Sequence, residues 1–285
     1  MATRRAFTAG LVGAGAGLAL RRAGAEEPKA ASSAFGGIQV GVQSYTFRKF
    51  DLDRMITAMR AVGIDSVELW QGHLDPGKAT DADCQATRQK LDAAGIKVSA
   101  YCVNFRPDSS AELLEKSFQW AGKLGTRVMT TSVQKPIVPR LDEQCVKHKV
   151  YLGLHNHWYP AAFKGNREQE FEDPADFLDA LEGRSSYLSI NLDIGHFAAS
   201  GHDPVAFFKK HHERIVSLHI KDRDKDPERS NRRFGEGVTP IKEMARAMKD
   251  AKFRYAANLE YEIDPEDPTE GLRHALAYLK QALTA

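Results

Sequence analysis

Cysteine is scarce in this chain. Three among 285 residues, Cys84, Cys102 and Cys145, are too few and too scattered for a disulfide framework or a cysteine-rich zinc site. An excess of either charge is missing as well. Forty Lys and Arg against 38 Asp and Glu leave +2, which argues against a dedicated nucleic-acid binder, because such a surface carries a strong basic excess. Beyond the N-terminus no apolar run approaches the ~20 residues needed to cross a bilayer. A glycine-rich dinucleotide turn after a strand is also lacking, since the glycines of 10–17 precede any strand. What is present, 42% apolar and 27% charged residues, is ordinary globular composition and excludes disordered and collagen-like chains. The length suits one large α/β domain with a sizeable core. Ten histidines are the unusual supply, several of them beside carboxylates.

The first thirty residues read as an address. Arg4 and Arg5 precede an uncharged stretch from Phe7 to Leu20, too short to span a bilayer, and Ala23-Gly24-Ala25 offers a small-x-small cleavage site. The paired arginines have the form of a twin-arginine signal; Arg21 and Arg22, between the apolar stretch and the cleavage site, depart from it. We expect a signal peptide over 1–25, a linker over 26–37 and a periplasmic or secreted mature chain with no lasting membrane contact.

From residue 38 onward, short β-rich runs alternate with helical patterns. Strands are expected at Ile38–Ser44, Ser66–Trp70, Lys97–Val103, Arg127–Val133, Val150–Asn156, Leu188–Ile194, Ile215–Lys221 and Tyr255–Tyr261. Leu52, Met55, Ile56 and Met59 recur at helical spacing, as do Leu113, Leu114, Phe118 and Ala121. Further helices fit Asp81–Ala94, Asp142–Lys149, Pro174–Leu181, Pro204–His211, Ile241–Lys249 and Glu270–Leu283. Gly63 and Gly95 follow helices as C-terminal caps, and Asp173-Pro174 and Asp203-Pro204 read as N-caps with proline in the first turn. Eight strand–helix units imply a parallel sheet closed into a single (β/α)₈ TIM barrel over 38–285. The long irregular pieces Trp158–Glu172 and Arg223–Thr239 follow strands, so they belong over the C-terminal face, where active-site loops gather.

Buried parallel strands are normally apolar on both faces, and a charge there is costly unless paired or bound to metal. Four strands nevertheless end in ionisable groups: His155-Asn156-His157, Asp193-Ile194-Gly195-His196, His219-Ile220-Lys221-Asp222 and Glu260-Tyr261-Glu262. Alternation aims His155, Asp193, His219 and Glu260 at one point in the barrel mouth. Two imidazoles and two carboxylates suit Mn²⁺, Zn²⁺, Co²⁺ or Fe²⁺, whereas calcium takes oxygen ligands throughout. Singly, Asp193 has the alternative of capping a helix, and Lys221 that of pairing with a loop carboxylate.

These strings, with Gly235-Glu236-Gly237, resemble the xylose-isomerase-like TIM-barrel superfamily, and within it the sugar phosphate isomerase/epimerase family, from Ile38 to the C-terminus. The resemblance implies a metal held by Glu, Asp, His and Glu from the last four strands. Asp193, His219 and Glu260 match three of these positions, and His155 stands where the family has its first glutamate. It also implies a small-molecule sugar substrate deprotonated next to a carbonyl. In the family's epimerases two metal-bound glutamates exchange the proton; with His155 in one place, proton transfer passes to Glu260, His157, His196, Glu68 or Glu262. His196 matches a residue that contacts a substrate oxygen. Lys221 is placed to stabilise oxyanion charge. Glu68, Trp70, Asn104, Trp158 and Glu262 are candidate substrate contacts, with Tyr45 and Phe47 as further aromatic walls. Enolisation leads to isomerisation or epimerisation, or, with a β-leaving group, to cleavage of a 3-keto-glycoside. A sugar-binding barrel without chemistry is a further alternative, and a homo-oligomer is compatible with all of these. A DNA-repair endonuclease of the same barrel type shares the Asp-x-x-His spacing, but it needs further histidines from the second and third strands, where Trp70 and Asn104 stand.

Overall fold

The computed structural model describes residues 35–158, 171–224 and 231–285. The expected signal peptide, nearly all of the linker, and residues 159–170 and 225–230 of the two long loops lie outside the described residues.

Eight parallel strands form a closed barrel: β1 (Gln39–Gln43), β2 (Ser66–Trp70), β3 (Lys97–Cys102), β4 (Val128–Thr131), β5 (Tyr151–His155), β6 (Leu188–Asp193), β7 (Ile215–Ile220) and β8 (Ala256–Leu259). Each strand pairs with its sequence neighbour, and β8 closes on β1 with Gln39 beside Ala256 and Val42 beside Leu259. All eight expected strands are present, each trimmed by a residue or more at its ends except β2. A two-residue ribbon pairs Asp222–Arg223 with Asn231–Arg232 above the barrel.

The helices follow from capping and amphipathic spacing. Asp51 caps Leu52–Val62, whose buried Met55, Ala58, Met59 and Val62 recur at three- and four-residue steps, and Gly63 closes it in the left-handed conformation. Asp203 accepts the Val205 and Ala206 N–H groups at the head of Pro204–His211, where a first-turn proline costs no hydrogen bond. One helix start was misplaced. The helix expected at Asp142 begins at Val138, because Pro139 is tolerated in its first turn. Asp142 instead accepts from the Ser185 N–H and hydroxyl. A short helix, Ile194–Ala199, was not anticipated.

Apolar burial between the strands and the helical ring forms the main core. Inside the barrel the layers differ. Near the strands' N-terminal ends Ala100, Val128, Tyr151 and Val216 form a separate small cluster, with Tyr187 and Tyr255 packed against it. Above it the interior turns polar, around Gln43, Glu68, Thr130, Ser217 and Asn258, all buried. Gly153 lets β5 approach β6 there: a Cβ on it would lie 2.8 Å from the Asn191 nitrogen. The ionisable strand ends form the next layer up.

Candidate metal centre

Strand β6 delivers Asp193 as its last residue, and the carboxylate has two tasks. Oδ1 accepts the His196 N–H at 2.8 Å and so caps Ile194–Ala199. Oδ2 is buried and accepts no hydrogen bond. Asn156 fixes the Asp193 backbone from the end of β5: its Nδ2 donates to the Asp193 carbonyl at 3.0 Å, and its Oδ1 accepts the Asp193 N–H at 2.8 Å. Both alternatives open to Asp193 in the sequence are therefore compatible, since capping uses only one oxygen.

His219 and Glu260 meet this oxygen. His219 Nδ1 lies 3.0 Å from Glu260 Oε2 and 4.0 Å from Asp193 Oδ2. All three atoms are buried and outside hydrogen-bond geometry, and both carboxylate oxygens lie against the Lys221 ammonium. Together they form one of two groups among the described residues with the spacing of metal ligands. The other is His155, Asp193 and His196, sharing Asp193. The four residues expected to converge are thus gathered as three plus one. His155 joins from the Asp193 side, with its ring 4.9 Å from that of His219.

The donor set discriminates between the two groups. Both His196 nitrogens face cations, Nδ1 the Arg223 guanidinium at 2.9 Å and Nε2 the Lys221 ammonium at 3.3 Å. Asp193 Oδ2, His219 Nδ1 and Glu260 Oε2 are the better fit, because an imidazole and two carboxylates are a donor set that Zn²⁺ or Mn²⁺ takes.

Lys221, 2% exposed, lies 3.2 Å from Asp193 Oδ2 and 3.1 Å from Glu260 Oε2 and also pairs with Glu262. Its ammonium reaches this position past Gly195, where any Cβ would meet the Lys221 side chain and lie 2.8 Å from its carbonyl oxygen. Burial alone would lower the Lys221 pKa, but Asp193, Glu260 and Glu262 outweigh it and keep the ammonium charged. Burial pushes the Glu260 carboxyl up, and the Lys221 and His219 charges more than offset this and hold it well below the usual range. Burial disfavours protonated His219, yet Glu68 and Glu260 raise its pKa well above the ordinary value. Burial raises Asp193, with Glu260 adding to the effect and Lys221 opposing it. His155 and His196 are driven toward the neutral form by burial and then by neighbouring imidazoles and cations. His157, pushed down to about 3 by burial and then by Lys221 and Arg223, lies on His196 with ring centroids 3.8 Å apart.

The remaining expected residues fall into two sets. Glu262 and Trp158 border the cluster: Glu262 pairs with Lys221, and Trp158 donates its backbone N–H to His196 and lies under the Arg223 guanidinium at 5.7 Å. Trp70 is half-buried and packs edge-on against Tyr45 at 4.9 Å, and burial, followed by the Glu262 charge, raises the pKa of the Tyr45 phenol. Asn104 sits apart on an exposed rim, with its Oδ1 taken by the Ser132 N–H. Phe47 is a core residue packed on Phe50. Glu68 is fully buried beneath the mouth. His73, three residues beyond β2, lies outside the cluster, with its Nδ1 against the Ser44 hydroxyl.

Sequence reasoning missed Arg223, 4% exposed and bonded to His196, although Lys221 and Arg223 share alternation after β7. It also missed Asn191, buried between the rings of His155 and His219. The Gly235-Glu236-Gly237 string proves to be held by Asp222, which accepts the N–H groups of Gly235, Gly237 and Thr239.

Solved structures share this architecture. The IolI protein with a bound zinc atom is 14% identical, with a TM-score of 0.70 over 87% of this chain and 98% of its own. An L-ribulose 3-epimerase is 17% identical, with a TM-score of 0.68 over 87% and 95%. The D-psicose 3-epimerase of Clostridium cellulolyticum H10, solved with D-tagatose, is 12% identical, with a TM-score of 0.66 over 86% and 99%. At these identities the likeness establishes the fold. Among curated proteins none matches the sequence. The family described as xylose isomerase-like TIM barrel matches residues 56–282, most of the chain, and the protein belongs to that family.

Proposed function

We propose that the protein is a divalent-metal-dependent enzyme that enolises a keto- or aldo-sugar, with isomerase or epimerase chemistry. The observation that carries this reading is the meeting of three buried atoms at ligand spacing, Asp193 Oδ2, His219 Nδ1 and Glu260 Oε2, in the barrel mouth. Two carboxylate oxygens crowded into a buried site repel one another; the Lys221 ammonium offsets part of that repulsion, and a divalent cation would offset more. Asp193, His219 and Glu260 would hold the ion, with His155 as a fourth ligand. When bound, the ion polarises a sugar carbonyl and makes the adjacent proton acidic.

The chain supplies the rest. Glu260, kept ionised by Lys221 and His219, takes the proton from the carbon next to the carbonyl. The Lys221 ammonium donates to the oxygen on which negative charge develops. His157, stacked on His196 and neutral, hydrogen-bonds to a sugar hydroxyl, and His196 holds the Arg223 and Lys221 cations beside the substrate. Trp158, Trp70 and Tyr45 wall the sugar, and Glu262 holds Lys221 in place. The Arg4-Arg5 signal supports an exported enzyme, where unphosphorylated sugars are the available substrates.

One observation favours elimination as a second reading. Beside Glu260 stands the Lys221 ammonium, at 3.1 Å, and His155 occupies the position where the family has a second glutamate. A base paired with an ammonium acid suits removal of the α-proton with protonation of a departing alkoxide, as in cleavage of a 3-keto-glycoside.

The test is solvent-deuterium exchange with metal-supplemented protein. Deuterium is expected at the carbon next to the carbonyl of a keto-sugar, and aglycone release from a 3-keto-glycoside marks the elimination reading. No exchange and no release across both substrate classes would leave a binding barrel.

A further inference from the structure

We infer that Glu68 is a positioning residue: from beneath the mouth it holds the His219 ring with Nε2 facing down, so that Nδ1 is the atom presented to the proposed metal ion. The inference rests on the metal-site reading above and adds the group that makes His219 a ligand.

Glu68 cannot reach a substrate. It is 0% exposed, and its lone pairs are used below the mouth. Oε1 accepts from His219 Nε2 at 2.8 Å, Thr130 Oγ1 at 2.6 Å and Gln43 Nε2 at 2.8 Å. Oε2 accepts from Ser217 Oγ at 2.8 Å and Asn258 Nδ2 at 2.9 Å. A carboxylate has about four lone-pair sites, and these donors from β1, β4, β7 and β8 take them up. Among these five partners, His219 alone is ionisable. A buried carboxylate therefore has a definite chemical demand on that ring, a proton on Nε2.

That demand selects the tautomer. A metal would take His219 as the neutral imidazole, which carries one N–H; an acceptor at Nε2 keeps that proton there and leaves the lone pair on Nδ1. Nδ1 is the nitrogen beside Glu260 Oε2 and Asp193 Oδ2. The other neighbour of Nε2, Asn191 Nδ2 at 3.1 Å, is a donor and favours the opposite tautomer, with its proton where the ion should sit. Glu68 decides this competition, because its oxygen is the closer partner, at 2.8 Å against 3.1 Å, and the four other donors around the carboxyl group set it as an acceptor. A carboxylate behind a ligating imidazole also makes the imidazole more basic and the bond to metal stronger. Gln43 extends the frame, accepting the Tyr45 N–H with the oxygen of the same carboxamide that donates to Glu68.

The test compares the full-length wild type with Glu68→Gln and Ser217→Ala. Ser217→Ala removes a donor to the other Glu68 oxygen without touching His219. We expect Zn²⁺ alone, titrated into metal-free protein, to bind Glu68→Gln 10–100-fold more weakly than wild type, and Ser217→Ala within about threefold of it. A threefold or smaller loss in Glu68→Gln, or equal losses in both variants, would overturn the positioning role. Proton NMR of wild type reads the orientation directly, as a down-field, exchange-protected His219 Nε2 proton; its absence overturns the inference even if Glu68→Gln does not fold. Presence of that proton in a wild type that binds no Zn²⁺ would sustain the orientation and sink the metal reading instead.

Discussion

Replacing Lys221 by Met tests the electrostatics of the mouth. The Lys221 ammonium lies 3.2 Å from Asp193 Oδ2 and 3.1 Å from Glu260 Oε2 and also pairs with Glu262, and it is almost wholly buried. Met fills the volume of the aliphatic stem and removes the charge. Removing one partner of a buried ion pair costs about 3–5 kcal/mol, because it leaves uncompensated charge behind. At ~2–4 °C per kcal/mol for a domain of this size, chelator-treated Lys221→Met should melt roughly 6–20 °C below wild type. A bound divalent ion supplies positive charge to the same two carboxylates, so excess Zn²⁺ should recover most of the difference. Calorimetry of both proteins, with chelator and with Zn²⁺, reads all four states. An equal loss in both conditions would refute the idea that ammonium and metal serve the same carboxylates, and no loss at all would refute the ion-pair energetics.

Other changes probe the frame around the ligands. Asn156→Ala strips both hydrogen bonds from the Asp193 backbone, and two buried unsatisfied groups at ~1–3 kcal/mol each predict a loss of roughly 2–6 kcal/mol in denaturant unfolding; a loss under about 0.5 kcal/mol would show the clamp to be immaterial. Gly195→Ala places a methyl group against Lys221 and 3.1 Å from Arg223 Cγ. An overpacking cost of ~1–3 kcal/mol is expected, with deuterium exchange falling further than stability because Lys221 is displaced. Unchanged exchange in a folded Gly195→Ala variant would contradict the role given to Lys221.

Much of the barrel was legible because each strand carries its own signal. Ser66–Trp70 is a β-rich run bounded by polar turns, and Pro204–His211 announces its start with Asp203-Pro204. The convergence of Asp193, His219 and Glu260 followed from strand alternation, since each occupies the C-terminal end of an adjacent parallel strand. What alternation cannot supply is distance along the barrel axis. Glu68 sits on an inward face like the ligands, but one layer lower, and only the tertiary contacts with Thr130, Ser217 and Asn258 show that it is closed off from the mouth. Asn104 follows a strand in sequence, yet its carboxamide turns sideways to Ser132. The second use of Asp193, as a helix cap, was open in the sequence, while the short helix it caps has too few residues to show a period. Arg223 was passed over because the ribbon that carries it is two residues long.

The most direct measurement is anomalous diffraction from crystals grown with Zn²⁺ or Mn²⁺. The account predicts one strong peak in the barrel mouth, bonded to Asp193 Oδ2, His219 Nδ1 and Glu260 Oε2 at about 2.0–2.2 Å, and no such peak in His219→Ala. A mouth without anomalous density, with Lys221 still seated between the two carboxylates, would contradict it.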